Sequence, residues 1–225
     1  MYTIFEIYNN ISFNPEIITD FGYSCFIEEP GILFDTGAKG DILLDNLRSL
    51  GISADRIRCL VLSHDHWDHN GGITAVLDEN PKITCYCPRG TSSETVSALD
   101  KGAGCVVTEG WYEISPGIFL TGPIECVYSG AKLCEQSLVL DLGGGFFVIA
   151  GCSHPHISRI LSYVGEKGQV FGVMGGFHDV DEDDIGSLDG LDYISPSHCT
   201  TAIEAISEKF GDKFVRSGAG FIHRI

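Results

Sequence analysis

Basic residues are scarce in this chain. Its 225 residues include 14 lysines and arginines against 31 aspartates and glutamates, which gives a formal net charge of −17 at pH 7. The basic residues are scattered, so no cluster offsets the acidic surplus. Proteins that bind nucleic acid depend on lysine and arginine to neutralise phosphates, and an acidic surface repels that backbone. The composition therefore argues against nucleic acid as a partner.

The sequence also lacks a long apolar segment. No run approaches the roughly 18 apolar residues that a membrane-spanning helix needs. The first ten residues, MYTIFEIYNN, do not show the basic segment followed by an apolar one that is typical of a secretory signal. We therefore expect a cytoplasmic protein with no membrane partner.

A disulfide framework is not indicated either. The chain has nine cysteines, an odd number, spread from Cys25 to Cys199. Secreted disulfide scaffolds usually place an even number in a short chain, so most of these cysteines are expected to be reduced thiols. Cys85 and Cys87 form a C-x-C pair, but no second pair completes a metal site. We interpret them as thiols on the same face of one strand, where side chains repeat every two residues.

Short β-like segments alternate with helical patterns along the chain. A helix is predicted over residues 41–50, where apolar residues recur at three- to four-residue spacing, and further helices over 157–164 and 202–209. Residues 137–151, SLVLDLGGGFFVIAG, predict a hairpin with its turn at the three glycines. Two strand-rich halves, each with helices that must cover one face of a sheet, predict an α/β fold. We expect a four-layer αβ/βα sandwich forming one domain over residues 1–225.

One polar motif follows an apolar strand. Residues 62–72, LSHDHWDHNGG, place His64, His66, Asp68 and His69 within six residues. Imidazole and carboxylate groups are ligands for divalent transition metals. One ion cannot easily take all four ligands from so short a segment, so the spacing favours two ions. His64 and His66 would then reach one ion, while Asp68 and His69 turn toward the other. A solvated polar loop is the simpler interpretation for a single histidine, but not for four such residues at a strand end.

These four residues match the H-x-H-x-D-H signature of the metallo-β-lactamase superfamily, which the chain resembles. Residues 33–37, LFDTG, resemble the strand and turn near the N-terminus of that family, and the strand order along the chain is similar to its αβ/βα fold. The combination of GCSHPHI, GGFH and SHCT resembles a narrower branch, named by analogy with a dihydropterin ribofuranosyl-aminobenzene phosphate synthase. That resemblance indicates the branch better than it indicates the reaction.

Asp35, in LFDTG, has a second interpretation, because DTG is also the signature of aspartic proteases. Those enzymes need two such carboxylates that share a proton, and the chain has one DTG. A homodimer would have to supply the second. We therefore favour a role in which Asp35 orders the loop under the metal site through hydrogen bonds.

The resemblance implies further ligands among the later residues. The family has a third histidine for the first ion before a hairpin strand, whereas no histidine lies between His69 and His154 here. Cys152 matches the position of the family's bridging aspartate, which some members replace by cysteine, and His154 is the candidate for the missing nitrogen ligand. His198 matches the last family histidine and is assigned to the second ion. The alternative for Cys152 is a small buried apolar side chain.

Two more histidines lie near predicted strand ends. His178, in GGFH, is interpreted as a ligand, a proton donor or a substrate contact, with a surface histidine as the alternative. His156 is assigned to the first turn of the helix that follows it. His223 lies too close to the end of the chain to be favoured as a ligand.

The predicted function is a metal-dependent hydrolase that cleaves a small ester, phosphoester or related bond with water activated at a two-metal centre. Asp68 would orient the water and His178 would protonate the leaving group. Zinc is the default ion for a histidine-rich site, with manganese and iron as alternatives.

Two other functions stay open at this point. One is an iron-dependent oxidoreductase of the diiron or sulfur dioxygenase type on the same fold. Because the diiron reductases usually have glutamate at the place of His66, the sequence favours hydrolysis. The other is a catalytically silent binding or sensor protein.

Overall fold

The structure, a computed structural model, describes residues 1–225. Its strands are β1 (Thr3–Asn9), β2 (Tyr23–Ile27), β3 (Ile32–Phe34), β4 (Cys59–Val61), β5 (Thr84–Pro88), β6 (Cys105–Thr108), β7 (Tyr112–Ser115), β8 (Ile118–Leu120), β9 (Ile124–Tyr128), β10 (Ala131–Glu135), β11 (Leu138–Asp141), β12 (Phe146–Ala150), β13 (Val170–Gly176), β14 (Tyr193–Ser197) and β15 (Ile222–Arg224). Its α-helices are α1 (Gly40–Ser49), α2 (Trp67–Asn70), α3 (Ile73–Glu79), α4 (Ser93–Leu99), α5 (Ile157–Gly165), α6 (Glu182–Ser187) and α7 (Ile203–Phe210).

Two sheets form the centre of the molecule. The first has the strand order β15-β1-β2-β3-β4-β5-β6, and the second has the order β14-β13-β12-β11-β8-β7. One buried apolar cluster lies between the sheets, a second lies between the first sheet and the helices α1, α3 and α4, and a third lies between the second sheet and α5 and α7. The layers therefore run helix, sheet, sheet, helix, which confirms the predicted αβ/βα sandwich.

Strands β9 and β10 stand apart from this layered frame. They pair with each other in antiparallel register, from Ala131 opposite Tyr128 to Glu135 opposite Ile124, and form a two-stranded sheet of their own. Ser129 and Gly130 make the turn with φ values of 49° and 79°. Both residues thus lie in the left-handed region that a two-residue hairpin turn of this kind requires.

The secondary structure predicted from the sequence is confirmed with small shifts of its boundaries. The helix expected over residues 41–50 is α1, and the hairpin expected over 137–151 is the antiparallel pair of β11 and β12. Cys85 and Cys87 are both buried on the helix-facing side of β5. No helix has the length and apolar character needed to cross a bilayer.

The parallel strands end along one edge of the sandwich. In the first sheet β3 and β4 are parallel, and in the second sheet β12, β13 and β14 are parallel. Each of these strands is followed within three residues by a side chain singled out in the sequence: Asp35, His64, Cys152, His178 and His198. Since the carboxyl ends of parallel strands meet at the same edge, the topology collects these residues in one place.

Burial between the two sheets gives the first testable prediction. Phe147 is fully buried there, with its ring 5.4 Å from that of Tyr193, whereas Phe171 on the neighbouring strand is 37% exposed. Replacing Phe147 by alanine is expected to lower the free energy of unfolding by about 3 to 5 kcal/mol, because it leaves a cavity in the core. Phe171→Ala, the matched control, is expected to cost about 1 kcal/mol or less. Urea unfolding measures both, and equal losses would contradict the assignment of the core.

Candidate metal centre

The H-x-H-x-D-H motif begins where β4 leaves the first sheet. After Val61 the chain bends at His64 and Asp65, is extended at His66, and then turns into the one-turn helix α2, which carries Asp68 and His69. The two glycines that follow let α2 lie against the loop after β3: a Cβ on Gly71 would come within 2.1 Å of the Ala38 carbonyl oxygen. The Asn-Gly-Gly sequence after the motif is thus a packing requirement.

The structure brings the predicted ligands together in two groups. In each group the candidate ligand atoms all lie within 4.8 Å of one another. The first group is His64, His66 and His154, and the second is Asp68, His69, Cys152 and His198. The change of direction at α2 therefore divides the motif between two adjacent sites, and His154 lies beside His64 and His66.

Each of two buried histidines in the motif is oriented by a neighbour on its Nδ1 side. His64 Nδ1 lies 2.9 Å from Ser63 Oγ, and His69 Nδ1 lies 2.7 Å from Asp35 Oδ2. The Nε2 atoms face the shared space, where His69 Nε2 lies 3.1 Å from Cys152 Sγ. Hydrogen bonds of this kind fix the ring orientation of metal-binding histidines.

Asp35 connects three parts of the first sheet's edge. Its Oδ1 accepts a hydrogen bond from the Ser63 backbone N–H at 2.7 Å, and its Oδ2 accepts one from Ser63 Oγ at 2.7 Å and contacts His69. The residue has a φ of 58°, a left-handed conformation that costs energy for a residue other than glycine. This turn follows the end of β3 at Phe34. The expectation that Asp35 orders the loop under the site is confirmed.

Two more neighbours orient the histidines that come from the second half of the chain. Glu135, fully buried at the end of β10, lies 2.9 Å from His154 Nδ1, and Asn10 Oδ1 lies 2.8 Å from His198 Nδ1. Asn10 also donates to the His198 carbonyl oxygen at 3.1 Å. His198 itself has a φ of 53°, so its ring position is fixed on both the side-chain and the backbone side.

The electrostatics favour neutral imidazoles at His64 and His69 and an ionised carboxylate at Asp68. Burial lowers the pKa of His64 well below its usual value and lowers that of His69 to about 3. Burial acts to raise the pKa of Asp68, but the neighbouring His198 and His69 lower it overall. Neutral imidazole nitrogens and a carboxylate are the protonation states that bind a divalent ion.

The donor set fits a transition metal. Imidazole, carboxylate and thiol groups are the ligands that zinc and similar ions prefer. His198 Nε2 is buried without a hydrogen-bond partner, although it lies 3.4 Å from Asp68 Oδ2. A buried nitrogen without a partner is costly, and a bound ion would satisfy it. Burial raises the pKa of the Cys152 thiol well above its usual value, so a nearby positive charge would be needed to hold its thiolate form.

A cavity of about 300 Å³ opens onto the two groups. Its lining residues are Phe21, His66, Trp67, Asp68, Tyr128, Cys152, His154, His178 and Cys199. His178 belongs to neither ligand group and lies in the cavity wall, with its Nε2 3.3 Å from Tyr128 Oη and its Nδ1 3.2 Å from Asp179 Oδ2. The structure thus places His178 in the wall of the cavity beside the two ligand groups.

The other two histidines lie outside the centre. His156 precedes α5 as its N-terminal cap, one residue before the predicted first turn, and its Nδ1 lies 2.9 Å from Asp184 Oδ2. His223 is buried between Glu6 and Tyr193, at 2.8 and 2.7 Å.

Sequence analysis missed Glu135, Asn10 and Tyr128. A single glutamate before a hairpin strand carries no distinctive signal, although it accepts hydrogen bonds from the backbone N–H groups of residues 152, 153 and 154. Asn10 acts across 188 positions of the chain, a separation that no local pattern reveals. Tyr128 lies at the end of β9, and no motif in the sequence marks it.

A family model described as the metallo-beta-lactamase superfamily matches residues 19–198. The chain belongs to this superfamily. The matched region contains every candidate ligand from His64 to His198.

Individual relatives extend the similarity over nearly the whole chain. A 7,8-dihydropterin-6-methyl-4-(beta-D-ribofuranosyl)-aminobenzene-5'-phosphate synthase of Methanocaldococcus jannaschii is 29% identical, in an alignment that covers 99% of this chain and 95% of that protein. Among solved structures, Tm1679, a metal-dependent hydrolase of the beta-lactamase superfamily, has a TM-score of 0.81 at 26% identity and covers 100% of this chain and 99% of its own. YhfI from Bacillus subtilis, a metallo-beta-lactamase fold protein, has a TM-score of 0.72 at 13% identity, with 99% and 98% coverage, and shows the shared fold.

The bonds that Glu135 makes give the second testable prediction. Glu135→Ala would leave three buried backbone donors and the His154 ring without their acceptor, at about 1 to 3 kcal/mol for each unsatisfied group. We expect the free energy of unfolding to fall by about 3 kcal/mol or more, and metal affinity to fall about 10- to 100-fold through the released ring. Glu125→Ala, on the same hairpin but exposed and paired with Arg89, is the matched control and should cost about 1 kcal/mol or less. Similar unfolding curves for the two variants would contradict the role of Glu135.

Proposed function

We propose that the protein is a metal-dependent hydrolase that acts on a small ester, phosphoester or related bond. The observation that supports this most directly is the pair of adjacent ligand groups at the bottom of an open cavity. Hydrolytic two-metal centres typically hold their ions about 3.5 to 4 Å apart, and two contiguous groups of three and four ligands suit that arrangement. Membership of the superfamily and the similarity to a metal-dependent hydrolase are in keeping with this proposal.

In this proposal two divalent ions are held by side chains of the two groups. His64, His66 and His154 would hold one ion, and Asp68, His69, Cys152 and His198 would hold the other. Such ions supply Lewis-acid polarisation of a carbonyl or phosphoryl oxygen and lower the pKa of a bound water. Zinc is the first choice for these ligands, with manganese and iron as alternatives.

The chain's own residues supply the orientation and the proton transfers. Asp68, whose carboxylate faces both His69 and His198, accepts a hydrogen bond from the attacking water and takes up its proton. His178 faces the cavity, and its low pKa, caused first by burial, makes its protonated form a strong donor to the leaving group. Tyr128 fixes the His178 ring through its hydroxyl group.

The alternative proposal is an iron-dependent oxidoreductase on the same fold. The ligand set accepts iron, but His66 lies in the first group, at the place where the diiron reductases usually have glutamate. The relative from the methanogen is named a synthase, so we leave the substrate of this chain to experiment. The remaining parts of the proposal are a small-molecule substrate, no nucleic acid or membrane partner, a cytoplasmic location and one domain over residues 1–225.

Metal binding by His154 is tested with an alanine variant and a control variant. His154→Ala is expected to lower metal occupancy at one site and spare the other, because it removes one of three nitrogens from the first group. Glu166→Ala, exposed just after α5 and in no group that could hold a metal, is the control and should keep the wild-type metal content. Elemental analysis after zinc loading measures both. Unchanged occupancy in His154→Ala would transfer the role to His178.

Hydrolysis is tested with metal-loaded protein and two chromogenic probes, bis(4-nitrophenyl) phosphate and 4-nitrophenyl acetate. Turnover of at least one probe is expected to stop on chelation and to return when metal is added back. Asp68→Asn should lower kcat by about 10²- to 10⁴-fold, the usual contribution of general acid–base catalysis. Asp78→Asn, exposed on α3, is the control and should keep the rate. A rate that is insensitive to both chelation and Asp68→Asn would overturn the proposal, and oxygen consumption by iron-loaded protein would favour the oxidoreductase.

A further inference from the structure

Three aromatic side chains border the cavity beside the candidate metal centre. We name Phe21, Trp67 and Tyr128 the aromatic rim. Trp67 is 63% exposed and Phe21 is 47% exposed, although both are large and apolar. Their rings stack, with centroids 5.9 Å apart and planes at 25°. Exposed apolar surface next to a cavity usually marks a place where another molecule is bound.

The backbone at both residues of the exposed pair is tied to the elements that carry the ligand groups. Trp67 starts α2 and lies between His66 and Asp68, so its position is fixed together with the ligand groups. Phe21 precedes Gly22, which passes so close to the Asp68 carbonyl oxygen that a Cβ there would lie 2.5 Å from it. On the other side of Phe21, Asp20 is bound by the hydroxyl of Tyr8 at 2.8 Å and by Lys39 at 2.9 Å. The pair is therefore a preformed surface and needs little ordering to bind a ligand.

Tyr128 brings a third ring to the same cavity from the β9–β10 hairpin. Its ring centroid lies 4.4 Å from that of His154 and 5.6 Å from that of His66. Tyr128 thus borders the first ligand group, and Phe21, with its ring 5.1 Å from that of His198, borders the second. A molecule in the cavity whose reactive group reaches the two groups therefore lies beside rings of the rim.

The charges around the cavity restrict the chemistry of the part of the substrate that lies beside the aromatic rim. No lysine or arginine lines the cavity, and Asp68 is its one carboxylate. A negatively charged group beyond the metal-binding end would find no basic partner, whereas an uncharged or positively charged ring suits aromatic faces. Aromatic rings prefer offset stacking with other rings, which gives a flat ring an advantage over a puckered one of equal size.

We propose that the aromatic rim binds a flat, conjugated ring of the substrate, uncharged or positively charged, while the bond to be cleaved lies at the ligand groups. This inference rests on the proposed function, because the rim is interpreted as the part of the site that selects the hydrolase's substrate. Trp67 and Phe21 are then residues that determine specificity through stacking, and they take no part in the proton transfers.

A matched pair of non-hydrolysable ligands tests the proposal without requiring turnover. Naphthalen-2-ylmethylphosphonate and its decahydro counterpart have the same metal-binding group and the same carbon skeleton, but only the first is flat. With the metal-loaded protein, calorimetric titration is expected to show about 2- to 12-fold tighter binding of the naphthyl ligand, the contribution of aromatic stacking beyond buried area. Equal affinities, or no binding of the naphthyl ligand, would overturn the inference.

Variants of the rim assign the preference to named residues. Trp67→Leu and Phe21→Leu are expected to bring the two affinities close to each other, while Trp67→Phe keeps most of the preference. Tyr112→Leu is the control, because Tyr112 is 45% exposed on β7 and does not line the cavity. Metal content is measured for each variant, so that a lost preference at full metal content is attributed to the rim. A preference that is unchanged in Trp67→Leu would contradict the proposal.

The ligand experiment and the hydrolysis experiment fail independently. Ring-selective binding by a protein that hydrolyses neither chromogenic probe would keep the rim and count against the hydrolase. Hydrolysis by a protein that binds both phosphonates equally would keep the hydrolase and remove the aromatic specificity.

Discussion

The buried carboxylate of Asp35 is the constraint on which the rest of the candidate site depends. It has no solvent contact and satisfies its oxygens through Ser63 and His69, at distances of 2.7 Å. Burial raises the pKa of this carboxyl group well above its usual value, and the hydrogen bonds from Ser63 act to lower it, so the group depends on those bonds being complete. Those bonds tie the end of β3, the start of the motif and α2 into one unit. The motif histidines are thus positioned by the first sheet before any metal contributes.

In the second half of the molecule, a different buried side chain, that of Glu135, positions the ligands. Glu135 accepts three backbone N–H groups from residues 152–154 and contacts the His154 ring. Burial acts to raise its pKa, but the neighbouring His64 and His154 lower it overall, so the carboxylate stays ionised beside the centre. Each half of the chain therefore supplies one fully buried carboxyl group that arranges ligands without itself belonging to either ligand group: Asp35 after β3 of the first sheet and Glu135 from the β9–β10 hairpin. The sandwich joins two separately organised half-sites.

The parts of this site that the sequence predicts are those encoded by short stretches of chain. The motif is recognisable because four ligand-type side chains at this spacing after a strand are unusual unless they bind metal; they are His64, His66, Asp68 and His69. The helices are predicted from the periodicity of apolar residues. The compactness of the motif also predicts that its four ligands divide between two ions. The family resemblance implies a missing nitrogen ligand, His154 is the histidine nearest the matched strand end, and the structure brings it to His64 and His66.

What the sequence does not reveal arises from contacts between distant segments. Asn10 reaches His198 because β1 and β14 lie in different sheets whose ends meet, and nothing near either residue encodes that meeting. Glu135 is a common residue type whose importance comes from three backbone donors that a bend in another segment happens to present. The left-handed backbone conformation of Asp35, directly after β3, likewise results from its bonds to Ser63 and His69. The conformational preference of aspartate does not predict this backbone conformation, because tertiary contacts override the preference of a single residue.

The separation of the β9–β10 hairpin from both sheets has a consequence for how such a protein diversifies. The hairpin contributes Tyr128 to the cavity and Glu135 to the support of His154, but its strands pair only with each other. Between these two residues, insertions or exchanges would change the surroundings of Tyr128 while leaving the three buried apolar clusters intact. Substitutions in the outer half of the hairpin can therefore change which molecule the cavity accepts. Glu135, at its base, is constrained because it orients His154. The β9–β10 hairpin thus contains both a part of the site that tolerates substitution and a residue, Glu135, that does not.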